Sequence, residues 1–438
     1  MKTGNAVFWV VVYLGLLLAP MACLLLAPSP RGAGFWTDFS IALGFSALAI
    51  MGAQFVLTSR FRRAAAPFGI DLIYYFHRLM AIAGFGLIIA HVVIILAARP
   101  ALLKQILSAD MPRHTLPGLA SLLLFCVLLG ASIWRKRLGI RYESWRRWHG
   151  ALAVLAIVLA VIHVLFAGYY INEPWKRGLW TVITVSWVAL LVYVRIVKPL
   201  RMLKHPWRIA SVQPESGNAW TVTVVPEGHA GMAFLPGQFA WLTVARSPFS
   251  LSEHPFSIAS SAAPGGPLEF TIKELGDFTR TIKNIQPNTR AYLDGPYGAF
   301  TTDYFPDAAG FVFVAGGVGI APIMSMLRTL AVRKDPRPMW LFYGNRVWEG
   351  VIFRDEIESL REVLSLQVVH VLQEPPPEWA GETGLLNAAL FRRLLPPAAF
   401  AFEVFVCGPK PMLSLVERAL HTAGMPLTRI HSELFDLA

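Results

Sequence analysis

Charged residues and cysteines are both scarce in this chain. Asp, Glu, Lys and Arg make up 15% of its 438 residues, while 55% are hydrophobic. This balance is untypical of a soluble globular protein and indicates a membrane protein. The three cysteines, Cys23, Cys126 and Cys407, show neither a C-x-x-C spacing nor a zinc-ligand pattern. The sequence therefore predicts neither a disulfide framework nor a zinc site.

Acidic residues are nearly absent from the first half of the chain. Residues 1–208 hold 22 Lys and Arg against 5 Asp and Glu, whereas residues 209–438 hold 17 against 22. The basic excess thus belongs to the apolar half, where loop arginines set the orientation of membrane spans. The second half has no basic groove interleaved with aromatic residues, so we expect no nucleic-acid partner.

Long apolar runs account for most of the first half. Each is long enough to cross a hydrocarbon layer of about 30 Å, and together they cover residues 6–27, 35–57, 70–97, 115–134, 147–167 and 178–197. The first run lacks a signal-peptide cleavage site, so we expect it to be retained. The loops after spans two, four and six are the most basic, which predicts an integral membrane protein with both termini in the cytoplasm.

Two pairs of histidines share one unusual spacing. His77 and His91, like His149 and His163, are fourteen residues apart within an apolar span. Fourteen helical residues return to nearly the same face and rise about 21 Å. Two such helices side by side would present an inner pair, His77 with His149, and an outer pair, His91 with His163. A single histidine in an apolar helix is usually a polar core residue, but two matched pairs favour two bis-histidine haem sites.

The pattern of the chain changes after about residue 205. Short β-rich runs such as Trp220–Val225 and Phe239–Val244 are separated by Pro and Gly turns, which is typical of a small antiparallel barrel. From about residue 306, strands at 311–315, 339–343 and 402–406 alternate with helices, one of them ending near Val332. This alternation predicts a parallel α/β sheet. We therefore expect a multi-domain chain: an all-α six-helix transmembrane bundle at 1–204, an antiparallel β-barrel at 205–305 and an α/β nucleotide-binding domain at 306–438.

Several short motifs lie in the second half. The barrel region contains three segments that would individually be unremarked turns or strands: Pro236-Gly237-Gln238-Phe239, His254-Pro255-Phe256-Ser257 and Gly276-Asp277-Phe278-Thr279. In the α/β region, Gly316-Gly317-Val318-Gly319-Ile320-Ala321-Pro322 follows a strand and opens a helix, a placement that suits a pyrophosphate. Pro322 departs from the Rossmann fingerprint at its last position. Two more segments end strands, Tyr343-Gly344-Asn345-Arg346 and Cys407-Gly408-Pro409.

Taken in this order, the motifs resemble the ferredoxin–NADP reductase superfamily, and with the paired histidines nearly the whole chain resembles a prokaryotic ferric reductase or NADPH oxidase. The resemblance implies that FAD is held by His254, with Pro255 and Phe256, and that Ser257 faces the flavin ring. It also implies that Gly276 and Thr279 contribute to the flavin pyrophosphate site.

The same resemblance assigns the NAD(P)H residues. The glycine turn would hold the pyrophosphate through Gly316, Gly317, Gly319 and Pro322, and the nicotinamide would be bordered by Cys407, Gly408 and Pro409. Arg346 would lie near the adenosine end of the dinucleotide, where binding of a 2′-phosphate would favour NADPH. A solvated loop arginine is the alternative, and NADH stays possible as the electron donor. Phe435 would lie over the flavin; alternatively, it is a phenylalanine that only packs against its neighbours. Cys407 could alternatively be a small buried residue without a role in binding.

The resemblance implies an NAD(P)H-dependent flavohaem transmembrane reductase of a bacterial inner or cell membrane. Electrons would pass from cytoplasmic NAD(P)H through FAD and two haem b groups to an extracytoplasmic acceptor. Ile95 replaces a second histidine typical of NADPH oxidases, and span two lacks their arginine, so a ferric chelate is the favoured acceptor.

Other functions stay open from the sequence. An NADPH oxidase that reduces oxygen to superoxide is one, with Arg113 and His114 replacing the missing groups. A protein electron acceptor is another, and a proton channel or transporter with a soluble sensor domain is a third. No regulatory segment precedes the first span, so we expect constitutive activity.

Overall fold

The computed structural model describes residues 3–24, 26, 32–59, 70–106, 108, 111–250 and 252–434. The chain forms two compact units, Lys2–Pro199 and Leu200–Ala438. The first contains the apolar spans, and the second contains the barrel and the α/β sheet.

The first unit is helical. Its α-helices are α1 (Thr3–Leu24), α2 (Phe35–Thr58), α3 (Ile70–Ala98), α4 (Ala101–Ile106), α5 (Thr115–Ile133), α6 (Tyr142–Ala167), α7 (Pro174–Val192) and α8 (Lys198–Leu203). A π-helical turn, Tyr193–Val197, joins α7 to α8. Six helical segments within the described residues are long and apolar enough to cross a membrane. The six predicted spans are confirmed.

The two histidine-bearing helices, α3 and α6, each pack along a companion helix. α2 lies against α3, and α5 lies against α6. The core of the unit contains Phe45, Leu48 and Met51 from α2 together with Phe125 from α5. Side chains such as Leu123 point outward and stay more than half exposed, as expected of a surface that faces lipid.

The barrel is a six-stranded antiparallel sheet. Its strands are β1 (Trp207–Glu215), β2 (Ala219–Pro226), β3 (Phe239–Val244), β4 (His254–Ser257), β5 (Leu268–Lys273) and β6 (Arg290–Tyr297), in the order β4-β3-β6-β1-β2-β5. A bridge between Ile258 and Phe270 joins the two ends of that order and curls the sheet closed. The predicted antiparallel barrel is confirmed.

The last part of the chain is a parallel sheet covered on both faces. Its strands are β7 (Phe311–Gly316), β8 (Met339–Asn345), β9 (Leu366–Leu372), β10 (Glu382–Thr383), β11 (Glu403–Gly408) and β12 (Ile430–Leu434), in the order β10-β9-β8-β7-β11-β12. Helices α9 (Ile320–Val332) and α10 (Arg354–Val363) cover one face, and α11 (Ala388–Leu394) and α12 (Lys410–Ala423) cover the other. All six residues of β7 are buried, as expected of a strand inside such a sheet.

The strand order brings distant motifs to one edge of this sheet. The chain crosses from β7 to β8 on one side and later returns to β11 on the other, so the edge beside β7 is a topological switch point. Gly316 pairs with Gly344, and Cys407 pairs with Ala315. The glycine turn, the end of β8 and the Cys-Gly-Pro segment therefore meet there.

Candidate functional site

The four span histidines form two facing pairs. The ring centres of His77 and His149 are 6.4 Å apart, and those of His91 and His163 are also 6.4 Å apart. An imidazole nitrogen binds a metal at about 2.0 Å, so two rings on opposite sides of one metal have centres about 6.3 Å apart. Both pairs therefore fit a haem iron ligated from both sides. No group of three or more potential metal ligands occurs in the described part of the chain.

Both outer histidines are held through their Nδ1 atoms. His91 Nδ1 lies 2.8 Å from the Ser40 carbonyl oxygen, and His163 Nδ1 lies 2.7 Å from the His114 carbonyl oxygen. A carbonyl oxygen can only accept, so each Nδ1 carries the proton and Nε2 keeps its lone pair for a metal. Haem- and zinc-ligating histidines are commonly fixed in this way.

Two glycines make room for the outer imidazoles. A Cβ atom at Gly44 would lie 3.2 Å from His91 Nδ1, and one at Gly118 would lie 2.7 Å from His163 Nδ1. Each glycine follows the residue that supplies the carbonyl, Ser40 or His114, by four positions. Neither glycine was among the site residues predicted from the sequence. The recurrence of this arrangement in spans two and four is the only signal that the sequence carries.

The inner pair is held more loosely than the outer pair. His149 Nδ1 lies 3.3 Å from the Ser132 hydroxyl oxygen, which also accepts a hydrogen bond of 3.3 Å from the Trp145 indole. His77 Nδ1 is buried and has no hydrogen-bond partner among the described residues. The two levels therefore differ in how strongly the protein polarises their imidazoles.

The barrel brings the two flavin motifs together. Ser257 pairs with Phe239 across β3 and β4 and is buried. The His254 ring stacks on the Phe278 ring at 3.9 Å, so the His254–Ser257 and Gly276–Thr279 segments are adjacent. The Thr279 hydroxyl accepts hydrogen bonds from the backbone of Leu275 and Gly276 at 2.9 and 2.8 Å, which fixes the turn. A Cβ atom at Gly276 would meet nothing within 4 Å, so this turn faces open space.

A cavity of about 360 Å³ lies at the switch point of the parallel sheet. Gly317 lines the cavity and has a φ of +52°. A Cβ atom at Gly319 would lie 2.3 Å from the Cys407 carbonyl oxygen. Both positions therefore require glycine. The cavity is also lined by Lys273, Gly316, Gly344, Asn345, Arg346, Val371, Gln373, Gly384, Leu385, Leu386, Pro409, Pro411, Met412 and Leu415.

A buried tyrosine holds the glycine turn in place. The Tyr343 hydroxyl donates to the Gly317 carbonyl oxygen at 3.0 Å and accepts from the Ile352 backbone at 3.2 Å. Burial raises the pKa of Tyr343, so the phenol keeps the proton that it donates. From the sequence, Tyr343 was predicted only to lie at the end of a strand.

The remaining predicted residues lie around this cavity in different ways. Arg346 is exposed and donates to the Glu374 carboxylate at 2.9 Å, so it is a paired arginine rather than a free one. Cys407 is fully buried in the core of the sheet, and Gly408 and Pro409 lead into α12. Pro322 is buried within α9. Phe435 lies outside the described residues; β12 ends one residue earlier, at Leu434, which pairs with Gly408.

Three family models match successive parts of the chain: "Ferric reductase like transmembrane component" at residues 43–160, "FAD-binding domain" at 217–301 and "Oxidoreductase NAD-binding domain" at 313–418. The chain belongs to the ferric reductase/NADPH oxidase superfamily. It is an integral membrane protein with FAD- and NAD-binding domains.

Individual relatives match the second half of the chain. The ferredoxin–NADP reductase B of Sorangium cellulosum is 33% identical over 215 residues, covering 47% of this chain and 88% of that protein. The propane 2-monooxygenase reductase component of Rhodococcus jostii is 30% identical over 237 residues, covering 52% of this chain and 62% of that protein. The chain thus spans less than two thirds of the latter. The flavohemoglobin of Malassezia yamatoensis, a structure with bound FAD and heme, has a TM-score of 0.50 at 16% identity, covering 93% of this chain and 100% of that one, and this likeness concerns the fold alone.

Proposed function

We propose that this superfamily member passes electrons from cytoplasmic NAD(P)H through FAD and two bis-histidine b haems to an acceptor on the other side of the membrane. The observation that carries the proposal is the equal spacing of the two histidine pairs, 6.4 Å at each level. We place the domain boundaries at residues 204 and 305, and both termini in the cytoplasm because the loops on that side are the most basic.

The cofactors supply the redox chemistry: NAD(P)H gives up a hydride, FAD accepts it with its two electrons, and haem iron carries electrons singly. The protein binds and orients these groups. His91 and His163 would hold the outer haem through Nε2, because their Nδ1 atoms donate to backbone carbonyls. His254, stacked on Phe278, supports the flavin beside Ser257.

The nucleotide cavity accounts for the electron donor. Its glycine turn leads into α9, so backbone N–H groups at the helix N-terminus would bind the pyrophosphate. Arg346 lines the cavity and pairs with the exposed Glu374, and the adenosine end of the dinucleotide would lie beside this pair. The Glu374 carboxylate would compete with a 2′-phosphate for the Arg346 guanidinium, so both NADH and NADPH are proposed as electron donors.

A ferric chelate is the favoured acceptor. Two histidine ligands would leave no open position on either haem iron, which favours electron transfer to an acceptor that does not bind the iron. Two polar side chains at the outer end of α2 make contacts within the protein: Thr37 is buried, and the Ser40 hydroxyl donates to the His91 carbonyl oxygen at 2.8 Å. Oxygen is the second candidate, because the His114 ring lies 5.6 Å from the His163 ring.

The test uses full-length protein, loaded with haem and FAD, in liposomes that enclose a ferric chelate. Under anaerobic conditions, external NADPH or NADH should reduce the flavin, then both haems, and then the enclosed chelate. His163→Ala should lose one haem and stop chelate reduction while its flavin is still reduced. His421→Ala, which changes a histidine far from the spans in sequence, is the control.

Each alternative has its own result. Reduced haem that is reoxidised rapidly by oxygen, with release of superoxide, would make the protein an oxidase. Slow reoxidation by both small acceptors would favour a protein partner. Folded protein that binds no haem would overturn the proposal and return the channel or transporter to consideration.

A further inference from the structure

One face of α9 is joined to the barrel by side chains. Ser325, Arg328 and Thr329 are three and four residues apart, so they share a face of the helix. Three of their four barrel partners lie in residues 259–262, which follow strand β4 of the flavin motif, and the fourth is Glu269 of β5. The same helix begins at Gly319, in the turn assigned to the NAD(P)H pyrophosphate. A single rigid element therefore contacts both cofactor segments.

Arg328 makes the largest set of contacts. Its Nη1 donates to the Ala259 carbonyl oxygen at 2.8 Å and to the Glu269 carboxylate at 2.7 Å. Its Nε and Nη2 donate to both carboxylate oxygens of Glu356 at 2.6 and 2.7 Å. Its guanidinium carbon also lies 4.9 Å from the centre of the Phe353 ring. The planar fork of arginine can satisfy these partners at once, and a lysine cannot.

Two hydroxyl groups complete the junction. The Ser325 hydroxyl donates to the Ser260 carbonyl oxygen at 2.8 Å. The Thr329 hydroxyl accepts from the Ala262 backbone at 2.9 Å and donates to the Ser325 carbonyl oxygen at 2.6 Å. Both side chains are buried, so these hydrogen bonds do not exchange freely with water. Three of the four contacts to the barrel involve its backbone, which fixes the course of the chain after β4.

We propose that Ser325, Arg328 and Thr329, here called the α9 latch, are positioning residues that set the distance between the nicotinamide and the flavin. The inference rests on the proposed binding of FAD and NAD(P)H. Gly319 and Arg328 are nine residues apart, or about 14 Å along the helix. A helix of this length is stiff, so a shift at the latch moves the glycine turn with it. Hydride transfer needs an approach of about 3–3.5 Å, and a misplacement of about 1 Å can slow a reaction about 100-fold.

The latch and the nucleotide cavity are separate groups of residues. None of the three latch residues lines the cavity. Loss of the latch should therefore slow the transfer step while leaving dinucleotide affinity nearly unchanged. A merely structural residue would instead affect FAD retention and thermal stability.

The test measures single-turnover flavin reduction in the full-length, FAD-loaded protein under anaerobic conditions. Arg328→Lys should slow reduction about 10- to 100-fold, weaken the charge-transfer absorbance between flavin and nicotinamide, and change the dinucleotide Kd less than about threefold. The control is Arg361→Gln, which breaks the exposed pair with Glu358 on α10 and should reduce flavin at the wild-type rate.

Two milder variants keep the test decisive if Arg328→Lys loses FAD or aggregates. Ser325→Ala and Thr329→Val each remove hydrogen bonds without disturbing a charge, and each should slow reduction severalfold. Wild-type rates in whichever variants fold would overturn the latch and leave the proposed function intact. A wild-type flavin that neither NADPH nor NADH reduces would overturn the proposed function and the latch together.

Discussion

Gly118 offers a sharp test of the outer haem site. A methyl group introduced by Gly118→Ala would lie 2.7 Å from His163 Nδ1 and 3.0 Å from its Cε1. Ordinary van der Waals contact begins at 3.4 Å, so the ring or the helix must move by about 0.7 Å. Alanine is otherwise favourable in a helix, and the expected damage is therefore confined to the contact with His163.

The imidazole has little freedom to make that movement. Its Nδ1 lies 2.7 Å from the His114 carbonyl oxygen, and a displacement of about 0.7 Å away from it would stretch the hydrogen bond to about 3.4 Å, beyond the usual range. Losing the partner of a metal-ligating histidine typically costs about 10- to 100-fold in metal affinity. We expect a loss of this size for the outer haem only, since Gly118 contacts no ligand of the inner pair.

Haem titration with optical and low-temperature spectra provides the assay. Wild-type protein should bind two haems and Gly118→Ala one at matched haem concentration. Gly44→Ala, with a contact of 3.2 Å to His91 Nδ1, should have a smaller effect. Gly86→Ala is the matched control, because it lies in α3 between the two proposed ligands His77 and His91 and its Cβ atom would meet nothing within 4 Å. Two haems with wild-type affinity and spectra in Gly118→Ala would refute the reasoning.

Three further predictions concern the other sites. Glu374→Gln removes the carboxylate that accepts from Arg346, so the KM of flavin reduction should fall for NADPH and stay constant for NADH; equal changes would return Arg346 to a solvated role. Ser132→Ala removes the hydrogen-bond partner of His149 Nδ1 and makes that imidazole less basic, so redox titration should find a raised reduction potential for one haem. Two unchanged reduction potentials would contradict this. Tyr343→Phe removes the partner of the buried Ile352 N–H, at a cost of about 1–3 kcal/mol, and of the Gly317 carbonyl, so dinucleotide affinity should fall about tenfold with FAD retained. Wild-type affinity would show that the turn keeps its conformation without Tyr343.

Local features of the sequence were enough to predict the architecture. Apolar runs long enough to span a bilayer became six helices, and the strand at 311–315 and the helix ending at Val332 were placed to within a residue. The histidine spacing predicted two facing pairs because helical periodicity is fixed within a single span. The order of the motifs predicted the family, since each motif is a continuous segment.

The sequence by itself thus determined the spans, the two histidine levels and the cofactor motifs, all of which depend on neighbouring residues. Tertiary structure alone decided how these parts are held: the Ser40 carbonyl meets a histidine 51 residues away, and Arg328 meets the Ala259 carbonyl 69 residues away. Tertiary structure also decided the ion pair between Arg346 and Glu374, which are 28 residues apart. Such contacts have no periodicity in the sequence, because they exist only after helices and strands have packed and most buried polar groups have found partners.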